Sequence, residues 1–132
     1  MAEKSPRLRV LIVDDEPLIR WSMAETLAHA GHAAMEASNA KETLQRLSAD
    51  PIPDVILLDY RLPDSNDLKL LETIRQVAPN SSVIMMTAYG TPAVQAGALE
   101  LGAFRVVSKP LEMRDLAPLV QQAYESRASQ PS

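Results

Sequence analysis

The sequence predicts an α/β domain in which five parallel strands carry helices on both faces. Three observations lead there. Residues 10–13 and 55–58 are unbroken apolar runs, short and partly β-branched, as in strands buried on both sides. Five such runs alternate with five segments whose apolar residues recur at helical spacing, the pattern of helices crossing between parallel strands. The first and third runs end in acid, at Asp14-Asp15 and Asp59. The carboxyl edge of an open α/β sheet is where ligands bind.

The elements follow in order. Residues 1–7 are polar and read as a loose start, and strand one covers 8–13. Helix one opens after Asp14-Asp15-Glu16, with Pro17 at a position where a missing N–H costs nothing. Its apolar stripe is Ile19, Met23, Thr26, Leu27 and Ala30, and Gly31 ends it. Trp21 lies off the stripe, as a half-buried surface residue or part of a partner-binding face. His29 and His32 read as surface residues of the helix end and the turn after it. Strand two covers 32–37. Asn39, followed three residues later by Glu42, caps helix two, whose apolar positions are Ala40, Thr43, Leu44 and Leu47. The two prolines in 48–53 make a loop.

Strand three ends at Asp59. Helix three is expected from Ser65 or Asn66 to Val77, burying Leu70, Leu71, Ile74 and Val77. Strand four ends at Thr87. Thr91 caps helix four with Pro92 first inside it. That helix carries Val94, Gly97, Ala98 and Leu101, so small side chains and an internal glycine predict weak anchoring. Strand five covers 104–108 and ends at Lys109-Pro110. Helix five is expected to start near Asp115, placing Pro118 in its first turn, and to bury Leu116, Leu119, Val120 and Ala123. Residues 127–132 read as a tail or the start of a linker. Right-handed crossovers and the flavodoxin-like order 2-1-3-4-5 set strands one and three side by side. Asp14, Asp15 and Asp59 then share one pocket, edged by Thr87 and Lys109.

A chain of 132 residues, 46% hydrophobic, is one domain with a full core. Its net charge of −4 does not favour direct contact with nucleic acid. The absence of cysteine excludes disulfides, thiolate nucleophiles and Cys-based zinc sites. No apolar run is long enough to span a membrane and no signal peptide opens the chain, so a cytoplasmic location is expected.

Three carboxylates in one pocket repel each other and call for a cation. An all-oxygen set favours a hard one, and Mg2+ takes one or two carboxylates with water and phosphate oxygens. A carboxylate can act as nucleophile and form an aspartyl phosphate. Lys109 can pair with a phosphoryl oxygen, and the Thr87 hydroxyl can donate to another. Taken singly, each has a plainer role: Asp14-Asp15 as charges at a helix N-terminus, Asp59 as a turn former, Thr87 as a strand end, Lys109 as an exposed charge. Together, ending strands one, three, four and five, they point to phosphoryl transfer.

Six motifs carry a family likeness: Val13-Asp14-Asp15-Glu16, Leu57-Leu58-Asp59, Leu62-Pro63-Asp64, Met86-Thr87-Ala88, Gly102-Ala103-Phe104 and Ser108-Lys109-Pro110. With them, about residues 7–126 resemble the receiver domain of bacterial two-component response regulators, and the domain is bounded at 8–126. The resemblance implies that Asp59 accepts a phosphoryl group from a histidine kinase's phosphohistidine. It implies Mg2+ held by Asp14, Asp15, Asp59 and the Arg61 backbone carbonyl, and a phosphoryl group bound by Thr87, the Ala88 N–H and Lys109. It implies a switch in which Thr87 moves inward and the face of helix four, strand five and helix five changes, controlling dimerisation or an output. Arg61 and Tyr89 occupy positions that tune hydrolysis of the aspartyl phosphate, and their size predicts slow loss. The chain's own chemistry would be gain and loss of its phosphoryl group, so it is not read as an enzyme.

Two positions depart from the family pattern. Val106 stands where an aromatic switch residue is usual, and Val106→Tyr is expected to strengthen coupling. Asp67 stands where glycine is common, which predicts a different loop backbone. The segments Leu18-Ile19-Arg20-Trp21-Ser22 and Thr87-Ala88-Tyr89-Gly90-Thr91 resemble receivers of sigma-54-dependent transcriptional activators. That implies ATPase and DNA-binding output domains beyond this chain and a role in transcription; a single-domain regulator is the other reading. The main alternative function is a phosphorylation-independent interaction module with a receiver fold. An aspartate phosphohydrolase lacks a second acid and a cap here, and a flavin site lacks a phosphate loop after strand one.

Overall fold

The structure is a computed structural model that describes residues 7–128. Five strands and five helices alternate along the chain: β1 Arg9–Val13, α1 Pro17–His29, β2 Ala33–Ala37, α2 Ala40–Leu47, β3 Val55–Asp59, α3 Lys69–Val77, β4 Ser82–Thr87, α4 Pro92–Glu100, β5 Arg105–Ser108 and α5 Met113–Ala128. All strand pairs are parallel and the order is β2-β1-β3-β4-β5, as the sequence predicts.

The period-two alternation of strand side chains divides the core in two. Leu11, Val13, Ile56, Leu58, Val83 and Met85 face one side, where α2, α3 and α4 bring Leu47, Leu71, Ile74 and Ala98. Val10, Ile12, Val55, Leu57, Ile84 and Met86 face the other, where α1 and α5 bring Met23, Leu27, Leu116, Leu119 and Val120. Each fully buried Leu, Ile or Val side chain contributes about 1.5–3 kcal/mol. Strands β1, β3 and β4 are covered on both faces, which explains their unbroken apolar runs.

The helix ends follow their predicted chemistry. Pro17 and Pro92 open α1 and α4, the Asn39 side chain accepts the Glu42 N–H at 2.7 Å, and Thr91 Oγ1 accepts the Val94 N–H at 3.2 Å. The Glu42 carboxylate reaches back to the Ser38 N–H at 2.8 Å, one residue before the cap. Gly31 and Gly102 follow α1 and α4 with φ of +93° and +102°, a conformation that costs glycine least. As predicted, α4 is lightly held: Ala98 is its one buried residue, and Gly97 lies where an added Cβ would come 2.7 Å from Leu68 Cδ1.

Several expectations need correction. Ala30, Leu44 and Val77 are exposed. Ala30 is the C-cap of α1, beyond its sheet-facing turns, and Ala78 rather than Val77 joins the core below α3. Helix α3 begins at Lys69 because residues 62–65 close a tight turn first, with Leu62 and Ser65 exchanging backbone hydrogen bonds. Asp67 then accepts the Lys69 N–H at 2.9 Å, and no non-glycine among the described residues has positive φ. Asp67 thus avoids the positive φ that a glycine there would permit, in line with the expected difference in loop backbone, and sits in an ordinary turn. Helix α5 starts two residues early, at Met113, so Pro118 falls in its second turn, on the exposed side. The helix also takes in Arg127 and Ala128, read above as tail, and Arg127 pairs with Asp54 at 3.1 Å. The rest of the expected loose start and tail, 1–6 and 129–132, lies outside the described residues.

His32 is the other correction. It is buried, and its Nδ1 accepts the Leu8 N–H at 3.1 Å, while His29 is exposed. Burial pushes the His32 pKa below its ordinary 6.5, and protonation would remove the acceptor. A lowered folded pKa makes this contribution complete above the unfolded value and lost as pH falls through the folded one. Stability is therefore expected to decline as pH falls below the ordinary value of 6.5 and on through the lower folded value. Urea unfolding of wild type and His32→Gln checks it: the variant should show a flatter profile over that interval.

Candidate functional site

The site lies at the carboxyl edge of β1, β3, β4 and β5. Asp59 is the last residue of β3, and strand alternation sets it on the same side as Val55 and Leu57. Asp14 follows β1, its N–H continuing the ladder to Ala37 O at 3.1 Å, and it keeps the alternation of Val10 and Ile12. Lys109 follows β5, with its N–H donated to Thr87 O at 3.0 Å. These three side chains meet. Lys109 Nζ lies 3.1 Å from Asp14 Oδ2, 3.2 Å from Asp59 Oδ2 and 3.6 Å from Glu16 Oε1. Asp14 is wholly buried and Asp59 nearly so, whereas Asp15 is exposed at the mouth.

One carboxylate oxygen each from Asp14, Asp15 and Asp59 lies within 4.8 Å of the others. This all-oxygen set suits a hard divalent cation and leaves positions for water or phosphate oxygen, so the residues fit Mg2+. Backbone donors fix the two buried acids. Glu16 N–H donates to Asp14 Oδ1 at 2.9 Å, and Arg61 N–H donates to Asp59 Oδ1 at 3.1 Å. Burial raises the Asp59 pKa above the ordinary carboxylate value, and the Asp14 charge adds to this; the Arg61 N–H and Lys109 oppose it without cancelling it. Burial alone would lower the Lys109 pKa, but Asp14 and Asp59 together raise it. The pocket thus holds more negative charge than its one lysine relieves.

Thr87 belongs to the opposite face of the sheet. It keeps the alternation of Val83 and Met85, toward α4, and is buried. Its Oγ1 accepts the Tyr89 N–H at 3.3 Å. Val106 pairs with Met85 and packs, half-buried, against the same core. Thr87 and Val106 therefore line the β4–β5 face toward α4, while Asp14, Asp59 and Lys109 converge on the other side. Ala88, Arg61 and Tyr89 are exposed around the mouth, with Tyr89 81% open to solvent. An added Cβ at Gly90 would stand 2.8 Å from Thr87 Cγ2. Gly90→Ala should displace Thr87 or the loop and cost about 1 kcal/mol. Urea unfolding measures the cost, and methyl resonances of Thr87 report the displacement.

Three residues matter more than the sequence suggested. Glu16 approaches Lys109, and its place directly after Asp14-Asp15 was a usable signal. Asp64 accepts the Ala40 N–H at 2.7 Å and the Lys41 N–H at 3.1 Å, tying the loop after Asp59 to the start of α2; these N–H groups hold its carboxyl below the ordinary range. Arg20 donates to the Asp14 carbonyl at 2.6 Å. Neither of these contacts has a local sequence signal, because each joins segments brought together by the fold.

A family model described as the response regulator receiver domain matches residues 10–121. Response regulator protein PilR of Pseudomonas aeruginosa is 40% identical over 121 residues, covering 92% of this chain and 27% of that protein. DNA-binding transcriptional regulator NtrC of Escherichia coli K12 is 38% identical over 114 residues, covering 86% of this chain and 24% of that one. The chain thus spans about a quarter of the length of these curated relatives. A CheY-like receiver domain protein of Methanospirillum hungatei superposes with a TM-score of 0.88 at 28% identity, covering 96% of this chain and all of the other. A beryllofluoride-activated NtrC4 receiver domain dimer gives 0.81 at 28% identity, covering 90% and 98%. With the parallel order of the sheet and the acids at its carboxyl edge, these likenesses agree on one conclusion: the chain belongs to the response regulator receiver domain family.

Proposed function

We propose that Asp59 is the phosphoacceptor of this receiver domain, with Mg2+ held by Asp14, Asp15, Asp59 and the Arg61 carbonyl. The observation that carries the reading is the convergence of three carboxylates and one lysine at the ends of adjacent strands. An Asp59 oxygen attacks the phosphorus of a phosphohistidine. The P–O bond forms as the P–N bond breaks, and its electron pair leaves on the imidazole, which is protonated by solvent. Mg2+ supplies neutralisation of the transferring oxygens. Lys109 turns from its acid partners toward a phosphoryl oxygen, and the Thr87 hydroxyl and the Ala88 N–H donate to others. Movement of Thr87 toward the pocket withdraws it from the α4 side, and α4 is weakly anchored, so a local charge event biases a mobile face. Val106 transmits this by packing instead of by ring rotation. Arg61 and Tyr89, at the mouth, restrict water and slow phosphate loss.

A histidine kinase is the proposed donor. A hollow of about 290 Å³ beside Lys109, lined by Ile19, Met23, Met86, Ala88, Leu111 and Met113, offers it an apolar footing. The NtrC4 receiver dimer supports pairing of two copies, and we assign that pairing to the face of α4, β5 and α5. The DNA-binding transcriptional regulators among the relatives support a DNA-binding output outside this chain, to which our reading adds an ATPase domain. Residues 8–126 form the working unit, and gain and loss of its own phosphoryl group is the only chemistry we assign it. The proposed setting is cytoplasmic, and no helix among the described residues is long and apolar enough to cross a membrane.

The test is intact mass after incubation with a small acyl phosphate, with and without Mg2+, and with sizing of the same samples. A single phosphoryl adduct that requires Mg2+ supports the reading, and a concurrent change in size places output in dimerisation. A folded protein that binds Mg2+ yet gains no adduct overturns it in favour of a phosphorylation-independent interaction module.

A further inference from the structure

Two consecutive carboxylates serving one cation pose a geometric problem. In extended chain, neighbouring side chains point to opposite faces. Here Asp14 points inward and is wholly buried, Asp15 is exposed, and their oxygens still lie within 4.8 Å of each other and of Asp59. The peptide that joins them must therefore be held at a fixed angle. Its N-terminal side is fixed by Asp14 N–H to Ala37 O at 3.1 Å. Its carbonyl, Asp14 O, is fixed by Arg20 Nη1 at 2.6 Å.

Arg20 is itself braced. Its Nε lies 2.9 Å from Glu36 Oε1 on β2, its side chain is only 17% exposed, and its backbone N–H donates to Glu16 O at 3.0 Å in the first turn of α1. The Glu36 carbonyl in turn accepts Arg46 Nε at 3.1 Å. The guanidinium fork thus ties the Asp14–Asp15 peptide to the edge strand, a task that needs two donors set at a fixed angle.

We propose that Arg20 is a positioning residue for the divalent cation, setting the Asp14–Asp15 peptide so that both carboxylates reach one ion. This rests on the assignment of Asp14, Asp15 and Asp59 as the cation site. A positive charge near an acidic pocket also has a simpler consequence: it repels the cation. The two effects have opposite signs, which makes the role testable.

The experiment is calorimetric titration of Mg2+ into wild type, Arg20→Gln, Arg20→Lys and Glu36→Gln, with Asp15→Asn as reference. Outer-shell partners of metal ligands are worth about 10-fold to 100-fold in affinity. Arg20→Gln is expected to weaken Mg2+ binding about 10-fold although it removes a repelling charge. Arg20→Lys keeps the charge and loses the fork; it should weaken binding too, with its metal-free unfolding midpoint near wild type. Glu36→Gln should weaken binding less. Tighter binding by Arg20→Gln with unchanged binding by Arg20→Lys overturns the proposal and leaves Arg20 a countercharge. If Arg20→Gln fails to fold, Arg20→Lys decides. Wild type that binds no Mg2+ overturns the cation site itself, and the role of Arg20 falls with it.

Discussion

Replacing Lys109 with alanine is expected to destabilise the metal-free protein by about 2–4 kcal/mol and to slow phosphoryl acceptance about 100-fold to 1,000-fold. Lys109 Nζ is shared by Asp14 and Asp59, and both acids are buried. Without it, two negative charges face each other out of water with only backbone N–H groups to hold them. Removing one member of a buried ion pair is costlier than forming the pair is favourable. On the proposed function Mg2+ would occupy the same acidic pocket, so it should restore stability to Lys109→Ala by more than it adds to wild type. The kinetic loss is that of one donor aimed at a transferring oxygen, which the restored stability does not recover. Urea unfolding with and without Mg2+, beside the rate of adduct formation, separates the two. Equal Mg2+ stabilisation of both proteins would contradict the shared pocket.

Asp59→Asn should act in the opposite direction on stability while abolishing acceptance. Burial holds the Asp59 pKa above its ordinary 3.8. A raised folded pKa favours the fold at low pH, and that contribution is lost as pH rises through the folded value. At neutral pH the ionised side chain therefore costs stability. Asparagine removes the charge, keeps an oxygen for the Arg61 N–H, and leaves Lys109 paired with Asp14 at 3.1 Å. The metal-free variant is expected to be more stable than wild type, because the burial cost of the charge is removed first and its repulsion from Asp14 with it. A higher urea midpoint for Asp59→Asn without Mg2+, together with no phosphoryl adduct, is the expected pair of results. A lower midpoint would mean that the Lys109–Asp59 pair outweighs its burial cost.

These opposed effects arise from residues that were legible in the sequence. Asp14, Asp15, Asp59, Thr87 and Lys109 could be found because buried parallel strands read as apolar runs, and the first residue to break each run lies at the sheet edge. The order of strands followed from alternation and crossover handedness. What could not be read depends on contacts between distant segments. His32 looked like a turn residue, yet Leu8 closes over it. Helix α3 starts late because the turn at residues 62–65 has hydrogen bonds of its own, and Val77 fits a helical stripe but lies at its frayed end. The brace on Asp14 comes from Arg20, whose local pattern is that of any polar residue in a helix's first turn. The division of the pocket, with Thr87 on the face toward α4 and the acids on the other, needed only strand alternation and was available from the sequence.

The central claim is that this pocket delivers a phosphoryl group to Asp59. The most direct measurement is chemical localisation: the protein is exposed to an acyl phosphate and Mg2+, reduced with borohydride so that an acyl phosphate becomes the corresponding alcohol, and mapped by peptide mass spectrometry. Homoserine at position 59, absent when Mg2+ is withheld, is the predicted result. Unmodified Asp59 in a protein that carries a phosphoryl group elsewhere would contradict the account.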